Sequence, residues 1–166
     1  WNAETALVKD RVTATWQAAA NINFHGWQQC LAASKGVRIL VTDTRSNSGI
    51  GRYMDGQKNG MELNFTFKNF SPGCQAANRR MSCISSVAVH EFGHAIGLMH
   101  EQDRTDSTCN LESKKTGGLL LTVYDPDSVM NYCNPRWNND GTLSPLDIVG
   151  IQKLYGARAA APQGKI

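Results

Sequence analysis

The run His90-Glu91-Phe92-Gly93-His94-Ala95-Ile96-Gly97-Leu98-Met99-His100-Glu101 concentrates residue types that bind and use a metal ion. His90 and His94 are four apart, so on a helix both imidazoles leave one face about a turn from each other. That spacing lets two ring nitrogens reach one zinc ion at ~2.0–2.1 Å. Glu91, one position on, points too far round to share their place and can instead hydrogen-bond a water on the metal. His100 needs a separate argument. On a continued helix it would face about 240° away from His94, so it can join only if the helix stops and the chain turns back. Gly97 lies where that break must fall, and glycine tolerates the left-handed backbone of such a turn.

Three protein ligands leave a position open for water or substrate, the mark of a catalytic rather than a structural site. Zinc in such a site lowers the pKa of bound water to about 7 and polarises a carbonyl oxygen. Glu91 is then the general base, taking the water proton and passing it to the leaving amine. The chemistry implied is hydrolysis of a protein or peptide substrate around one zinc ion, with no acyl-enzyme. A bare two-histidine pattern recurs by chance, but the glycine and third histidine in register make this one specific. His25 lies outside it and reads as an ordinary residue. A non-catalytic zinc-binding or adhesion module is the competing reading, and retention of Glu91 speaks against it.

The elements that must carry these residues are visible in the periodicity. Val8, Val12, Trp16, Ala19 and Ala20 recur at helical spacing and predict a helix over Glu4–Asn21. Ile22–Trp27 and Val37–Thr42 read as strands, and the glycine-rich segment 47–60 as a loop. Met61, Leu63, Phe65 and Phe67 alternate with polar residues, which predicts a half-buried strand at a sheet edge. A second helix is expected from about Ser85 to Gly97, carrying the histidines. A third starts at Ser144, with Pro145 at its first position, Asp147 three residues after the cap and Gly156 as its stop. The stretch from Met99 to Thr142 lacks periodicity and should be irregular. The only biased tract is the short tail Ala157–Ala161. Asn64 and Asn69 match a glycosylation pattern of little weight.

The chain has 166 residues, 41% hydrophobic and 19% charged, with a net charge of +3. Those values suit one domain over 1–166, with an upper lobe of about 1–97 and a lower lobe of about 98–166. The positive residues are scattered; Lys114–Lys115 is the nearest to a cluster and reads as a solvated loop, so no nucleic-acid partner is expected. No apolar run is long enough to span a membrane. The cysteines, Cys30, Cys74, Cys83, Cys109 and Cys133, lack the spacing of a zinc ribbon or a redox motif. Disulfides and a secreted setting are their better use. The expected pairs are Cys74–Cys83 and Cys109–Cys133, each closing a local loop, with Cys30 free or paired elsewhere. All five remaining reduced, in an intracellular protein, is the alternative.

The extended histidine motif is the signature of the metzincin metalloproteases. That family has a methionine turn downstream, and Ser128-Val129-Met130-Asn131-Tyr132 is similar to one. The resemblance makes Met130 an apolar floor beneath the zinc site. Within the metzincins the chain most resembles the astacins: Glu101 directly follows the third histidine, and a tyrosine stands two residues after the methionine. It implies that Tyr132 is both an additional zinc ligand and a catalytic group that stabilises the oxyanion. It also implies that Glu101 makes a buried contact linked to the mature N-terminus. Arg104 and Asp106 fall where astacins often place such residues. Asn131, Pro126 and the cysteine set depart from the astacin pattern, and the last helix is equally similar to matrixins, which remain the second choice.

The fold implied is α/β (α+β): a two-lobed zinc protease with a twisted, mostly parallel sheet and an antiparallel edge strand. An active-site helix follows, and an irregular lower lobe ends in a helix. The strand Met61–Phe67 is then the upper rim, where an extended substrate adds. Expected with it are a removed propeptide, a monomeric state and secretion. Arg136, just after the methionine turn, could favour acidic side chains, although an exposed loop arginine is the simpler reading.

Overall fold

The computed structural model describes residues 1–111 and 114–159. Helix α1 spans Asn2–Val12 and passes through a π-type turn, Thr13–Gln17. Val8, Val12, Trp16 and Ala20 are all buried, as their spacing requires. The wider turn points the Trp16 indole at the site helix, where its Nε1–H donates to the Val89 carbonyl at 2.8 Å.

The sheet has three strands among the described residues: β1 (Ile39–Thr42), β2 (Asn47–Ser48) and β3 (Met61–Asn64), in the order β1-β3-β2. β1 runs parallel to β3 with Ile39 opposite Met61, and β2 is antiparallel with Ser48 opposite Met61. Two expectations change here. β3 is the central strand, so the rim belongs to β2, inside the segment read as loop. β3 also stops at Asn64, because the Asn64 Oδ1 accepts from the amides of Thr66 and Phe67 and turns the chain. With Asn64 only 1% exposed and its amide donating to the Thr44 carbonyl, it offers no room for a glycan.

The expected strand Ile22–Trp27 does not form. Its apolar residues serve the site helix instead: Phe24 meets the Phe92 ring edge-on at 5.2 Å and Trp27 stacks on it at 5.6 Å. That helix, α2, runs over Ala77–Ala95 and so begins eight residues before Ser85. Its first turns are exposed and lack a side-chain cap, leaving neither an apolar stripe nor a start signal to read. From Cys83 to His94 every residue is buried.

Helix α3 (Pro145–Tyr155) follows its sequence signals closely, with a Ser144–Asp147 capping box and Gly156 at its end. Between α2 and α3 the described residues are irregular apart from short 3₁₀ turns. Disulfides Cys74–Cys83 and Cys109–Cys133 form as expected, while Cys30 is exposed with a free thiol. Of the tail Ala157–Ala161, residues 160 and 161 lie outside the described residues. No helix among the described residues is long and apolar enough to cross a membrane.

Candidate active site

The end of α2 builds the metal-ligand geometry. Gly97 takes φ 98°, while the amides of Gly97 and Leu98 donate to the His94 and Gly93 carbonyls and close the helix. The reversal brings His100 back: His94 Nε2 and His100 Nε2 lie 3.1 Å apart. One nitrogen from each of His90, His94 and His100 lies within 4.8 Å of the others. The rear nitrogens are held by carbonyls, His90 Nδ1 on Val129 at 2.9 Å and His94 Nδ1 on Leu98 at 2.7 Å. A neutral ring donating from Nδ1 keeps its Nε2 lone pair for a metal.

Burial favours that neutral state. It pulls His90 down to about 3 and His100 to about 4, with the neighbouring His94 adding to both shifts, and it lowers His94 as well. Burial also pushes the Glu91 carboxyl up to about 7. His90 Nε2 and Glu91 Oε2 are buried with no hydrogen-bond partner among the described residues. Orphaned atoms of this kind are costly. Three converging neutral imidazoles with an unused lone pair fit a zinc ion, which suits nitrogen donors and tetrahedral sites.

Supporting contacts come from both sides of the cleft. The Ser48 hydroxyl of edge strand β2 donates to the Glu91 carbonyl at 3.1 Å. Met130 is 2% exposed and lies directly against Gly93: a Cβ there would overlap Met130 Sδ and stand 3.1 Å from Trp16 Cζ2. Gly93 therefore admits both the methionine and the indole. Its signal in the sequence was a glycine inside a helix, a residue that costs ~1 kcal/mol there relative to Ala.

The Tyr132 ring packs on two of the histidines, 5.3 Å from His90 and 4.4 Å from His100, and its hydroxyl accepts from Arg45 Nη2 at 3.4 Å. The Glu101 amide donates to the Met130 carbonyl, and Glu101 Oε1 accepts from the Asp125 amide at 2.8 Å beside Arg104 at 3.4 Å. Burial raises Glu101 to about 7. Trp1 lies against Phe65, with ring centroids 5.8 Å apart. Arg104 forms a two-pronged pair with Asp106, both bonds at 2.8 Å.

Beside Glu91 opens a cavity of about 270 Å³ lined by Arg45, Phe67, Phe70, Tyr132 and Trp137, among others. Arg136 is not part of this lining; it is exposed, 3.6 Å from Asp127. The cation facing the cavity is Arg45, in the loop that precedes β2.

Sequence reasoning also missed the second role of Asp147. Besides capping α3, this buried carboxylate accepts from Ser128 Oγ at 2.6 Å and from the amides of Val129 and Ser144 at 2.9 Å. It therefore holds the residue whose carbonyl orients His90. Burial pushes the Asp147 carboxyl above its usual range, so the cost of removing it is that of leaving its buried donors unsatisfied, about 1–3 kcal/mol each and not additive. Asp147→Ala should therefore cost about 3 kcal/mol, lowering Tm by about 6–12 °C. Thermal unfolding by circular dichroism would measure it, and an unchanged Tm would remove the anchor role.

The fold and site together define a metallopeptidase of the metzincin type. Residues 10–116 match the profile of the astacin peptidase family, and the chain belongs to that family. Its fold is similar to that of myroilysin, with TM-score 0.69 and 18% identity over 96% of this chain and 89% of that one. It is also similar to high choriolytic enzyme 1, a hatching enzyme zinc-protease from Oryzias latipes (TM-score 0.67, 22% identity, 95% and 85% of the two chains). Matrix metalloproteinase-C of Caenorhabditis elegans is 29% identical over 119 residues, covering 72% of this chain and 16% of that protein. The chain spans less than a fifth of the curated relatives it matches, 16%, 19% and 17% of their lengths.

Proposed function

We propose that this chain cleaves internal peptide bonds of protein substrates by attack of a water molecule, with Glu91 as general base. His90, His94 and His100 would hold one zinc ion, with Tyr132 beside them as a further ligand. When bound, zinc supplies Lewis acidity, making water a better nucleophile at neutral pH and polarising the substrate carbonyl. Glu91 takes the proton of the attacking water on Oε2 and returns it to the departing amine. Burial keeps bulk water from competing for that oxygen. The Tyr132 hydroxyl donates to the negative charge growing on the carbonyl oxygen, and Met130 packs beneath the ligands as an apolar floor. An extended substrate pairs along β2, and one of its side chains enters the cavity beside Glu91.

The observation that carries this reading is that one nitrogen from each of His90, His94 and His100 lies within 4.8 Å of the others, while His90 Nε2 and Glu91 Oε2, on successive residues, are both buried without a hydrogen-bond partner among the described residues. Residues 1–166 act as one catalytic domain in this scheme, with its lobes dividing near Gly97. The two disulfides support a secreted setting; loss of a propeptide and a monomeric state accompany the family resemblance. A zinc chelator should abolish casein hydrolysis by the purified native protein, and stoichiometric zinc should restore it. Hydrolysis that persists when metal analysis finds no zinc would end the proposal.

A further inference from the structure

The three histidines are not backed alike. His90 and His94 each place Nδ1 on a main-chain carbonyl, whereas His100 Nδ1 faces Oδ2 of Asp103 at 3.9 Å. Asp103 is 3% exposed, and its Oδ1 has no hydrogen-bond partner among the described residues. A carboxylate is rarely buried without its full set of donors.

Of the lysines read as a solvated loop, Lys115 holds this carboxylate and Lys114 the main chain beside it. Lys115 Nζ reaches Asp103 Oδ2 at 2.5 Å, and the Lys115 amide donates to the Asp103 carbonyl at 2.7 Å. Lys114 Nζ donates to the carbonyls of Gln102, at 3.1 Å, and Cys109. Segment 114–115 thus straps down the two residues that follow Glu101. A strap needs only the Lys115 contact. It does not require the carboxylate to sit behind a ligand ring with one oxygen unsatisfied.

We infer that Asp103 is a positioning residue for the third ligand, its buried carboxylate orienting His100 and strengthening its hold on the metal. This rests on the zinc site proposed above. A carboxylate behind a ligating imidazole fixes the ring and raises its basicity, and loss of such a partner typically weakens metal binding 10–100-fold. At 3.9 Å the contact is longer than a direct hydrogen bond. The coupling at that distance is the field of a desolvated charge, which water screens little. Lys115, on the same carboxylate oxygen, offsets part of that field.

The test is zinc affinity by competition with a chromophoric chelator, on the native chain and on two variants. Asp103→Asn keeps the shape and removes the charge; zinc should dissociate about 10–100-fold more readily, with folding checked by circular dichroism. Lys115→Ala removes the strap's cation and should bind zinc at least as tightly as the native chain. Equal affinity in native and Asp103→Asn proteins overturns the inference, and so does equal weakening in both variants, the result a purely structural clasp would give. Should Asp103→Asn not fold, Asp103→Ser carries the same expectation. Native protein that binds no zinc would instead bring down the zinc site itself.

Discussion

Replacing Glu91 by glutamine should lower kcat/KM on a protein substrate by about 10²–10⁴-fold, the usual contribution of a positioned general base, while leaving the fold and zinc content intact. The environment of Glu91 makes the separation clean. Its carboxyl is raised to about 7 because burial penalises its charge, so the charge is not there to stabilise the fold. Glutamine has the same shape and no charge to desolvate, so in the metal-free protein Glu91→Gln should melt at or above the native temperature. The Ser48 hydroxyl donates to the Glu91 main-chain carbonyl, a bond the substitution keeps, and it also favours the carboxylate, an interaction a glutamine amide oxygen can accept in its place. Parallel measurements of peptide hydrolysis, bound zinc and Tm on both proteins check this. Native-like hydrolysis by the zinc-loaded variant would sink the mechanism. Low activity with lost zinc would give Glu91 a structural role instead.

What could be read from the sequence was whatever is settled by local spacing. The Ser144-Pro145 start, Asp147 and Gly156 defined α3 because capping involves residues within one turn of each other. The break at Gly97 followed from requiring His100 to rejoin His94, and Gly97 takes φ 98°. The two disulfides were legible because each closes a short loop. Non-local pairing was not legible. Alternation in Met61–Phe67 shows which side chains go inward, but it cannot tell a central strand from an edge one. The apolar residues of Ile22–Trp27 look like a strand until Phe92 proves to be their partner. Gly93 explains itself only once Met130 and Trp16, 37 and 77 residues away in sequence, are packed against it. Asp103 and the two lysines fall in the same class: ordinary charged residues in sequence, given a role by the turn after His100.

Tyr132→Phe should reduce kcat by about 10²–10³-fold, the effect of removing one donor to a developing oxyanion, with little change in KM or stability. The ring accounts for the packing. It stacks within 20° of the His90 plane and lies 4.4 Å from His100, contacts that phenylalanine reproduces. The backbone is fixed independently, since the Tyr132 amide donates to Gln102 Oε1 at 3.0 Å and Cys133 is tied to Cys109. The substitution therefore isolates the hydroxyl and its contact with Arg45. A donor that acts only as charge develops lowers kcat and kcat/KM together, whereas one that merely binds substrate raises KM and leaves kcat alone. Steady-state kinetics on one peptide separates the two cases. An unchanged kcat would reduce Tyr132 to a packing residue, and the oxyanion would then need another donor. Among the described residues lining the cleft, Arg45 carries the cation next to that hydroxyl, so Arg45→Met in the Tyr132→Phe background is the measurement to make next.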